Sequence, residues 1–445
     1  MALTGVQIFK LLPKTNCKKC GHPTCLAFAM KLAARQASID DCPDVSAEAK
    51  AELGEASAPP VRPMTLGAGA KAVKLGEETV MFRHEKKFVN PPAFAVEIKD
   101  TASAEEVDAK VQAVLASEIN RVGQLLRVDA FFLSGASGDA ARLDALAATV
   151  AAKAPDVAVI VSTTDASAGA SALKHFAGKR PMLYGANASN HEAMAKVAKE
   201  SNAILGIAAA NLDELTDLTE KVKALGVEDM VIDGGARKAG EILRDNTFVR
   251  RAAIKKGVKS VGYPVLTLCQ REDSMFEALM ASLGVMKYSS IIVVSSVEKW
   301  KDLALFALRQ NVYTDPQVPM QVEQKVYEFG EVSSASPLMI TTNFSLTYFI
   351  VSGEIENSGI PTRLAVMDCE GLSVLTAWAA GKFTAGKIAQ FITESGVADK
   401  MGSKELIIPG YVAILSGAIE DKLDGWKITV GPREANAIPA FLKTR

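Results

Sequence analysis

Histidine is scarce in this chain, and its placement excludes more than its number does. Only His22, His84, His175 and His191 occur among 445 residues, and none follows residue 191. The C-terminal half therefore has no imidazole to ligate a metal or carry a proton near neutral pH. Charge of one sign is also missing. Lys plus Arg number 50 against 51 for Asp plus Glu, a net charge of −1, so no nucleic-acid footprint is expected. No apolar run reaches the length of a membrane span. The opening Met1-Ala2-Leu3-Thr4-Gly5-Val6 lacks a basic stretch followed by an apolar one, so no signal peptide and a cytoplasmic location are expected. What remains is a chain that is 49% hydrophobic and 23% charged, an ordinary globular composition with room for about three domains.

Cysteine is sparse as well, yet concentrated. Four of the six fall within 26 residues, as Cys17, Cys20, Cys25 and Cys42, spaced C-x2-C-x4-C-x16-C. Thiolates are soft ligands, and four of them complete a tetrahedral set for an iron–sulfur cluster or for zinc. Gly21 and Pro23 turn the chain so that the first three can converge. Thr24 to Gln36 reads as a helix with Leu26, Met30 and Ala33 on one face and Cys25 in the first turn, where the helix N-terminus favours thiolate. Structural disulfides are not expected in a chain without secretory features. Spacing alone leaves iron–sulfur and zinc both open.

An Ala/Pro-rich stretch, Glu52 to Pro63, reads as a linker closing a module at 1–57, with 58–63 as the hinge. From Phe94 the rhythm changes. Short apolar strands at Phe94–Ile98, Val128–Leu133, Val157–Val161, Met182–Tyr184, Ile204–Ile207, Met230–Ile232, Ser260–Tyr263 and Ile291–Val294 alternate with amphipathic helices, the first running Ala104–Leu125. Eight such units are the count of a (β/α)8 TIM barrel, placed at 64–316, with Thr79–Phe82 as a strand or plug across its bottom. Chemistry in a barrel sits at the C-terminal strand ends. There Asp100, Asn187 and Asp233 are candidates for holding a pterin-like heterocycle, against a plainer role as helix caps. Cys269 reads as a buried inert thiol.

A connector at 317–336 precedes a third segment, 337–445, with strands at Leu338–Thr341, Arg363–Met367, Glu405–Ile408 and Lys427–Val430. Helices are expected between them, including Val412–Lys422, giving a flavodoxin-like (Rossmann-like) open sheet. Such sheets bind ligands beyond the carboxyl ends of their strands. The crevice residues expected there are Thr341, Thr347, Gly371, Leu372, Ser373, Val374, Gly410 and Glu434. Gly371 would keep the approach clear for a large cofactor. No G-x-G-x-x-G follows the first strand and no G-x-x-x-x-G-K appears, which speaks against a dinucleotide or nucleotide.

Taken together, the cysteine module, the barrel and the C-terminal α/β segment resemble the large (gamma) subunits of the corrinoid iron–sulfur proteins of the reductive acetyl-CoA (Wood–Ljungdahl) pathway. Leu12-Pro13-Lys14-Thr15-Asn16-Cys17 and Cys20-Gly21-His22-Pro23-Thr24-Cys25-Leu26-Ala27-Phe28-Ala29 are the most specific part of that resemblance. It implies a [4Fe–4S] cluster on Cys17, Cys20, Cys25 and Cys42 and a corrinoid (cobamide) in the C-terminal crevice. It also implies a methyl carrier: cobalt(I) takes methyl from methyltetrahydrofolate on a methyltransferase and delivers it to acetyl-CoA synthase/CO dehydrogenase, while the cluster restores oxidised cobalt. The implied partners are a smaller (delta) barrel subunit in a heterodimer, those two enzymes, and a low-potential reductant or reductive activator. Lys18-Lys19 would be a docking face for that reductant or simply solvated charge. With no histidine downstream, and Asp368-Cys369-Glu370-Gly371 at the turn where other corrinoid proteins place one, base-off cobalt without a side-chain ligand is expected. Two other classes fit the same features: a pterin-dependent barrel methyltransferase with a structural zinc module, and an iron–sulfur flavoprotein.

Overall fold

Small residues on the inner faces of strands decide what fills the centre of this protein. The computed structural model describes residues 5–33, 37, 39–46, 49–50, 53, 59–122 and 124–444. Contacts divide the chain into two compact units, Met1–Glu118 with Leu126–Tyr313, and Ile119–Leu125 with Thr314–Arg445.

In the first unit a hairpin of β1 (Met64–Leu66) and β2 (Val73–Leu75) precedes β3 (Ala93–Lys99). A two-stranded hairpin, β4 (Ile119–Arg121) and β5 (Gln124–Leu126), whose residues Ile119–Leu125 belong to the second unit, precedes β6 (Ala130–Ser134) of the first. Next come β7 (Ala158–Ser162), β8 (Met182–Ala186), β9 (Ile204–Ala208), β10 (Met230–Asp233), β11 (Val265–Leu268) and β12 (Ser289–Val294). Strands β3 and β6 to β12 pair in parallel around a closed barrel of eight. Alternation along β3 shows why it closes. Ala93 and Ala95 face the lumen with Ala130, Ala158 and Met182, while Phe94 faces outward and meets the Phe306 ring at 5.7 Å. The alanines leave room at the bottom for Met64, Leu66 and Leu75 of the β1–β2 hairpin, which belong to the same core.

That hairpin, not Thr79–Phe82, is therefore the plug. Thr79–Phe82 is irregular and is held by a side chain instead of a ladder. Arg250 donates to the Val80 carbonyl at 3.0 and 2.7 Å and pairs with Glu78 at 2.9 Å, with its guanidinium over the Phe88 and Tyr288 rings. Two further expectations shift. Lys259–Val261 is a single 3-10 turn, and the seventh barrel strand is β11, which starts just after Pro264. Proline has no N–H to give a ladder and stands at the strand's entrance. The helix expected to reach Leu125 spans only Ala104–Leu115, and the β4–β5 hairpin follows, with Val122 at a left-handed φ of 53°.

In the cysteine module, helices Gly5–Leu11 and Cys25–Ala33 enclose a small core of Ile8, Leu12, Cys25, Phe28, Ala29, Leu32, Cys42 and Leu53. The second helix buries Cys25, Phe28, Ala29 and Leu32, whereas Leu26 (44% exposed) and Met30 (57%) face solvent, as Ala33 does. The face shared by Leu26, Met30 and Ala33 is thus the outer one, and Cys25 lies on the inner side. Residues 34–36, where the helix was expected to continue, and residues 52 and 54–58 of the expected linker lie outside the described residues.

The second unit contains β13 (Lys325–Phe329), β14 (Leu338–Thr342), β15 (Thr362–Met367), β16 (Glu405–Ile408) and β17 (Lys427–Val430) in the order β13-β15-β14-β16-β17. Its four parallel strands follow the flavodoxin-like order, and β13 adds an antiparallel edge inside the stretch read as a connector. Both faces are covered. Ile340, Ala365 and Ile408 pack on one side, and Met339, Leu364, Val366 and Ile407 on the other. The helix expected over Val412–Lys422 is instead a 3-10 turn, Gly410–Leu415, followed by a short helix, Ser416–Glu420.

Leu66 is wholly buried in the lumen. Leu66→Ala should cost about 2–5 kcal/mol, read as a lower denaturation midpoint. A loss below about 1 kcal/mol would show that the hairpin is not part of the barrel core.

Candidate cofactor sites

The cysteine loop is built from unusual backbone. Lys14, Asn16, Lys18 and Gly21 all have φ between 49° and 78°, and the Gly21 amide donates to the Lys18 carbonyl at 3.0 Å. These left-handed residues fold the chain back on itself within one short loop. Asn16 anchors the loop to the helix. Its side-chain oxygen accepts from the Cys25 amide at 2.8 Å, and its own amide donates to the Cys25 sulfur at 3.4 Å. Cys25 and Cys42 are each 8% exposed in the module core, Cys20 packs partly against it, and Cys17 stands at the surface. Lys19 pairs with Asp44 at 3.0 Å. The Asp44 hydrogen bond raises the Lys19 ammonium above its ordinary value, with lesser contributions from Cys17 and Cys42. Of the two lysines, Lys19 thus has an acidic partner. Among the described residues, no three His, Cys, Asp or Glu side chains stand at metal-ligating spacing. The donor chemistry suits a soft metal centre: two buried sulfurs, one half-buried, and the exposed Cys17 next to them. Asn16 and Asp44 are participants that cysteine spacing does not reveal.

The second site opens in the C-terminal unit where the parallel order reverses, between β14 and β16. A cavity of about 320 Å³ is lined there by β14, β16, the helix Ser345–Ser358 and the loops after β15, β16 and β17. Of the eight residues expected, Thr341, Thr347, Ser373, Val374 and Glu434 line it. Leu372 instead packs against the hydrophobic core. The two glycines act through backbone, not through access. A Cβ on Gly371, at φ 71°, would come within 2.9 Å of Pro319, and one on Gly410 within 2.6 Å of the Gly431 carbonyl oxygen. Apolar walls, which looked like core in the sequence, come from Met339, Ile350, Val351, Leu375 and Ile408.

Thr341 is the polar anomaly of this cavity. It is 1% exposed, and its hydroxyl has no hydrogen-bond partner among the described residues. A buried hydroxyl without a partner is costly, and one lining a cavity points to a ligand group. At the rim the Tyr411 hydroxyl donates to Glu434, which raises the Tyr411 phenol above its usual range. Behind the wall, Asn343 ties the loops together. Its side chain accepts from the Cys369 and Gly371 amides at 2.9 and 3.1 Å and donates to Asp368 at 2.9 Å. Cys369 is 1% exposed, and burial first, then Asp368, pushes its thiol up to about 12.

At the barrel mouth no hydrogen bond joins Asp100, Asn187 and Asp233 to one another, and none of them is a helix cap. Ser103, Asp139, Asp165, Asn211 and Asp273 cap the helices. Each of the three candidates braces loops or strands at the mouth instead. Asp100 accepts from the Ser137 amide at 2.9 Å, and Asn187 from the Ser189 amide at 2.9 Å. Asp233 receives Arg237 at 3.0 and 2.8 Å and the Tyr184 hydroxyl at 2.6 Å. Cys269 is fully buried, and burial pushes its thiol to about 12.

Residues 63–442 match the family model described as CO dehydrogenase/acetyl-CoA synthase delta subunit. Residues 12–43 match a model whose description names an Fe–S cluster. The corrinoid/iron-sulfur protein large subunit of Moorella thermoacetica is 45% identical over 443 residues, covering 100% of this chain and 99% of that protein. The acetyl-CoA decarbonylase/synthase complex subunit gamma of Methanothermobacter thermautotrophicus is 33% identical over 455 residues, with 99% of each chain covered.

The Gly371 geometry gives a test independent of any cofactor. Gly371→Ala should destabilise cofactor-free protein by about 1–3 kcal/mol, through left-handed strain and the Pro319 contact. Unfolding in urea measures it, and unchanged stability would return Gly371 to a purely steric role towards a ligand.

Proposed function

We propose, on the premise that this chain belongs to the CO dehydrogenase/acetyl-CoA synthase delta subunit family, that it is the methyl-carrying large subunit of a corrinoid/iron–sulfur protein. The observation that carries the reading is the orphan Thr341 hydroxyl in an apolar cavity at the sheet's switch point. A corrinoid bound there supplies a cobalt centre that accepts a methyl group when reduced and releases it to an acceptor. Thr341, Thr347, Ser373 and Glu434 would offer it hydrogen bonds, Val374 and Leu375 apolar contact, and Gly410 the close seam between two loops. A [4Fe–4S] cluster on Cys17, Cys20, Cys25 and Cys42 supplies low-potential electrons to restore oxidised cobalt.

The chain's own residues favour this role over catalysis. No histidine occurs after residue 191, and burial keeps Cys369 protonated, so the C-terminal crevice would offer a bound cobalt neither imidazole nor thiolate. Fewer axial donors make reduction easier. In our reading the methyl group comes from methyltetrahydrofolate on a methyltransferase and passes to acetyl-CoA synthase. The chain works as a heterodimer with a smaller barrel subunit, in the cytoplasm, and is served by a low-potential reductant. Among the described residues no helix is long and apolar enough to cross a membrane.

Anaerobically purified protein should show a corrinoid visible spectrum, and Cys20→Ala should abolish the native cluster signal and reductive reactivation. Methyl transfer from already reduced Cys20→Ala protein should survive. A flavin spectrum or a colourless protein would overturn the reading, and equal loss of both activities would make the cluster structural. The cobalt(II) EPR spectrum should show no nitrogen hyperfine coupling from an axial imidazole. Resolved coupling, or a cobalt–sulfur bond to Cys369, would refute the base-off assignment.

A further inference from the structure

Two neighbouring barrel helices are turned inside out. Ser274–Met286 follows β11, Lys299–Tyr313 follows β12, and the two pack side by side on the outside of the barrel. A barrel helix ordinarily hides its apolar stripe against the strands and shows its charges to water. Leu212–Ala224 does so, burying Leu215, Leu218 and Val222 while exposing Glu220, Lys221 and Lys223. In the other two helices the charges go inward. Glu277 and Lys301 are wholly buried and pair at 2.6 Å, and Asp302 and Arg309 are buried as well.

Large apolar side chains take the outside. Met275, Phe276, Leu279 and Met286 of the first helix and Trp300 and Leu303 of the second are each between 44% and 61% exposed. Spacings of three, four and seven residues set them on one face of each helix. Glu277, turned inward, is the only charged residue in Ser274–Met286, so that helix offers water no charge at all. Hydration cannot satisfy such a face, because apolar surface is driven out of water. Taking about 200 Å² for a whole side chain of this size, the six expose roughly 600 Å², the upper end of what a monomer shows in one patch. A stable interface takes about 800 Å² from each partner, with a centre poor in charge and rich in aromatic residues and methionine. The six side chains supply that centre, with Trp300 and Phe276 as anchors.

We propose, resting on the heterodimer reading, that this face is where the smaller barrel subunit docks, its own equivalent pair of helices meeting Ser274–Met286 and Lys299–Tyr313 about a pseudo-two-fold axis. A pattern described for a delta subunit fits residues 63–442 of this chain, barrel included, so under that reading the two subunits are alike in this region. Like chains assemble most often through one patch that meets its counterpart about a two-fold axis.

The complex of the two subunits, purified anaerobically with its cofactors, is sized by chromatography with light scattering. Wild type should run as a heterodimer. Leu279→Arg should weaken association about 100-fold or more, because the guanidinium would be buried without a partner. The variant large subunit should keep its thermal midpoint and iron–sulfur spectrum, since an exposed helix position tolerates arginine. Leu225→Arg, at an exposed leucine just past Leu212–Ala224, should leave association unchanged. A photo-cross-linker attached at Lys299, exposed at the edge of the face, should join the equivalent helices of the small subunit. Undiminished association of Leu279→Arg, or of Leu303→Arg should the first fail to fold, would overturn the docking face and leave the heterodimer reading standing. Equal weakening by Leu225→Arg, or cross-links to another part of the small subunit, would overturn it too. A wild-type homodimer split by Leu279→Arg would overturn the choice of partner. Wild type that binds no small subunit would sink the heterodimer reading and the proposal with it.

Discussion

One asparagine holds the C-terminal crevice in shape. Asn343 is 2% exposed, and its carboxamide is saturated. Two amides donate to its oxygen, and its nitrogen donates to Asp368 at 2.9 Å and to Gln321 at 3.3 Å. Its main chain donates to the Met367 carbonyl and accepts from Val322, both at 2.9 Å. Only a carboxamide offers donor and acceptor at this reach. Aspartate would set a second carboxylate against Asp368, and serine would span too little. The turn after β15, with Glu370 and Gly371 both left-handed at φ 57° and 71°, depends on this clamp. That turn presents Ser373, Val374 and Leu375 to the cavity, so the crevice wall inherits its position from a residue that never lines it.

Much of the fold was legible because alternation is a local signal. Seven of the eight expected barrel strands overlap observed ones, since β-branched and apolar residues alternate within a few positions. The misplaced strand fails for a local reason too: Pro264 separates an apolar turn from the true β11, and apolar content alone reads the same on either side. The β1–β2 plug was illegible because its strands are three residues each and owe their place to lumen alanines far along the chain. In the crevice, side chains able to hydrogen-bond were found from loop position, as Thr341 and Glu434 show. The apolar wall was missed, because Ile350, Val351 and Ile408 look in sequence like any core residue. Helix Ser345–Ser358 is apolar around much of its circumference, with Leu346, Phe349 and Ile350 left 57%, 41% and 48% exposed. Such a helix marks a surface used in binding, and its lack of a polar face was the available signal.

The six cysteines show how surroundings, not residue type, set thiol chemistry. Cys269 and Cys369 sit under apolar cover with acidic neighbours, and both are pushed to about 12, so they remain protonated fillers of space. Of the other four, Cys17 and Cys20 lie on a short loop with left-handed turns, Cys25 opens the next helix, and Cys42 follows the 3-10 turn Ile39–Asp41.

Among the described residues, the lining of the crevice carries few titratable groups. A catalyst needs a titratable group near the reacting atom, with a pKa tuned to its task. Here the charged side chains lining the cavity are Arg433 and Glu434, and Glu434 is engaged by Tyr411. The rest of the lining is aliphatic, hydroxyl or backbone. Such a surface can hold and orient a large cofactor between apolar walls and a few hydroxyls, which accords with the methyl-carrier role that the chain's relatives support.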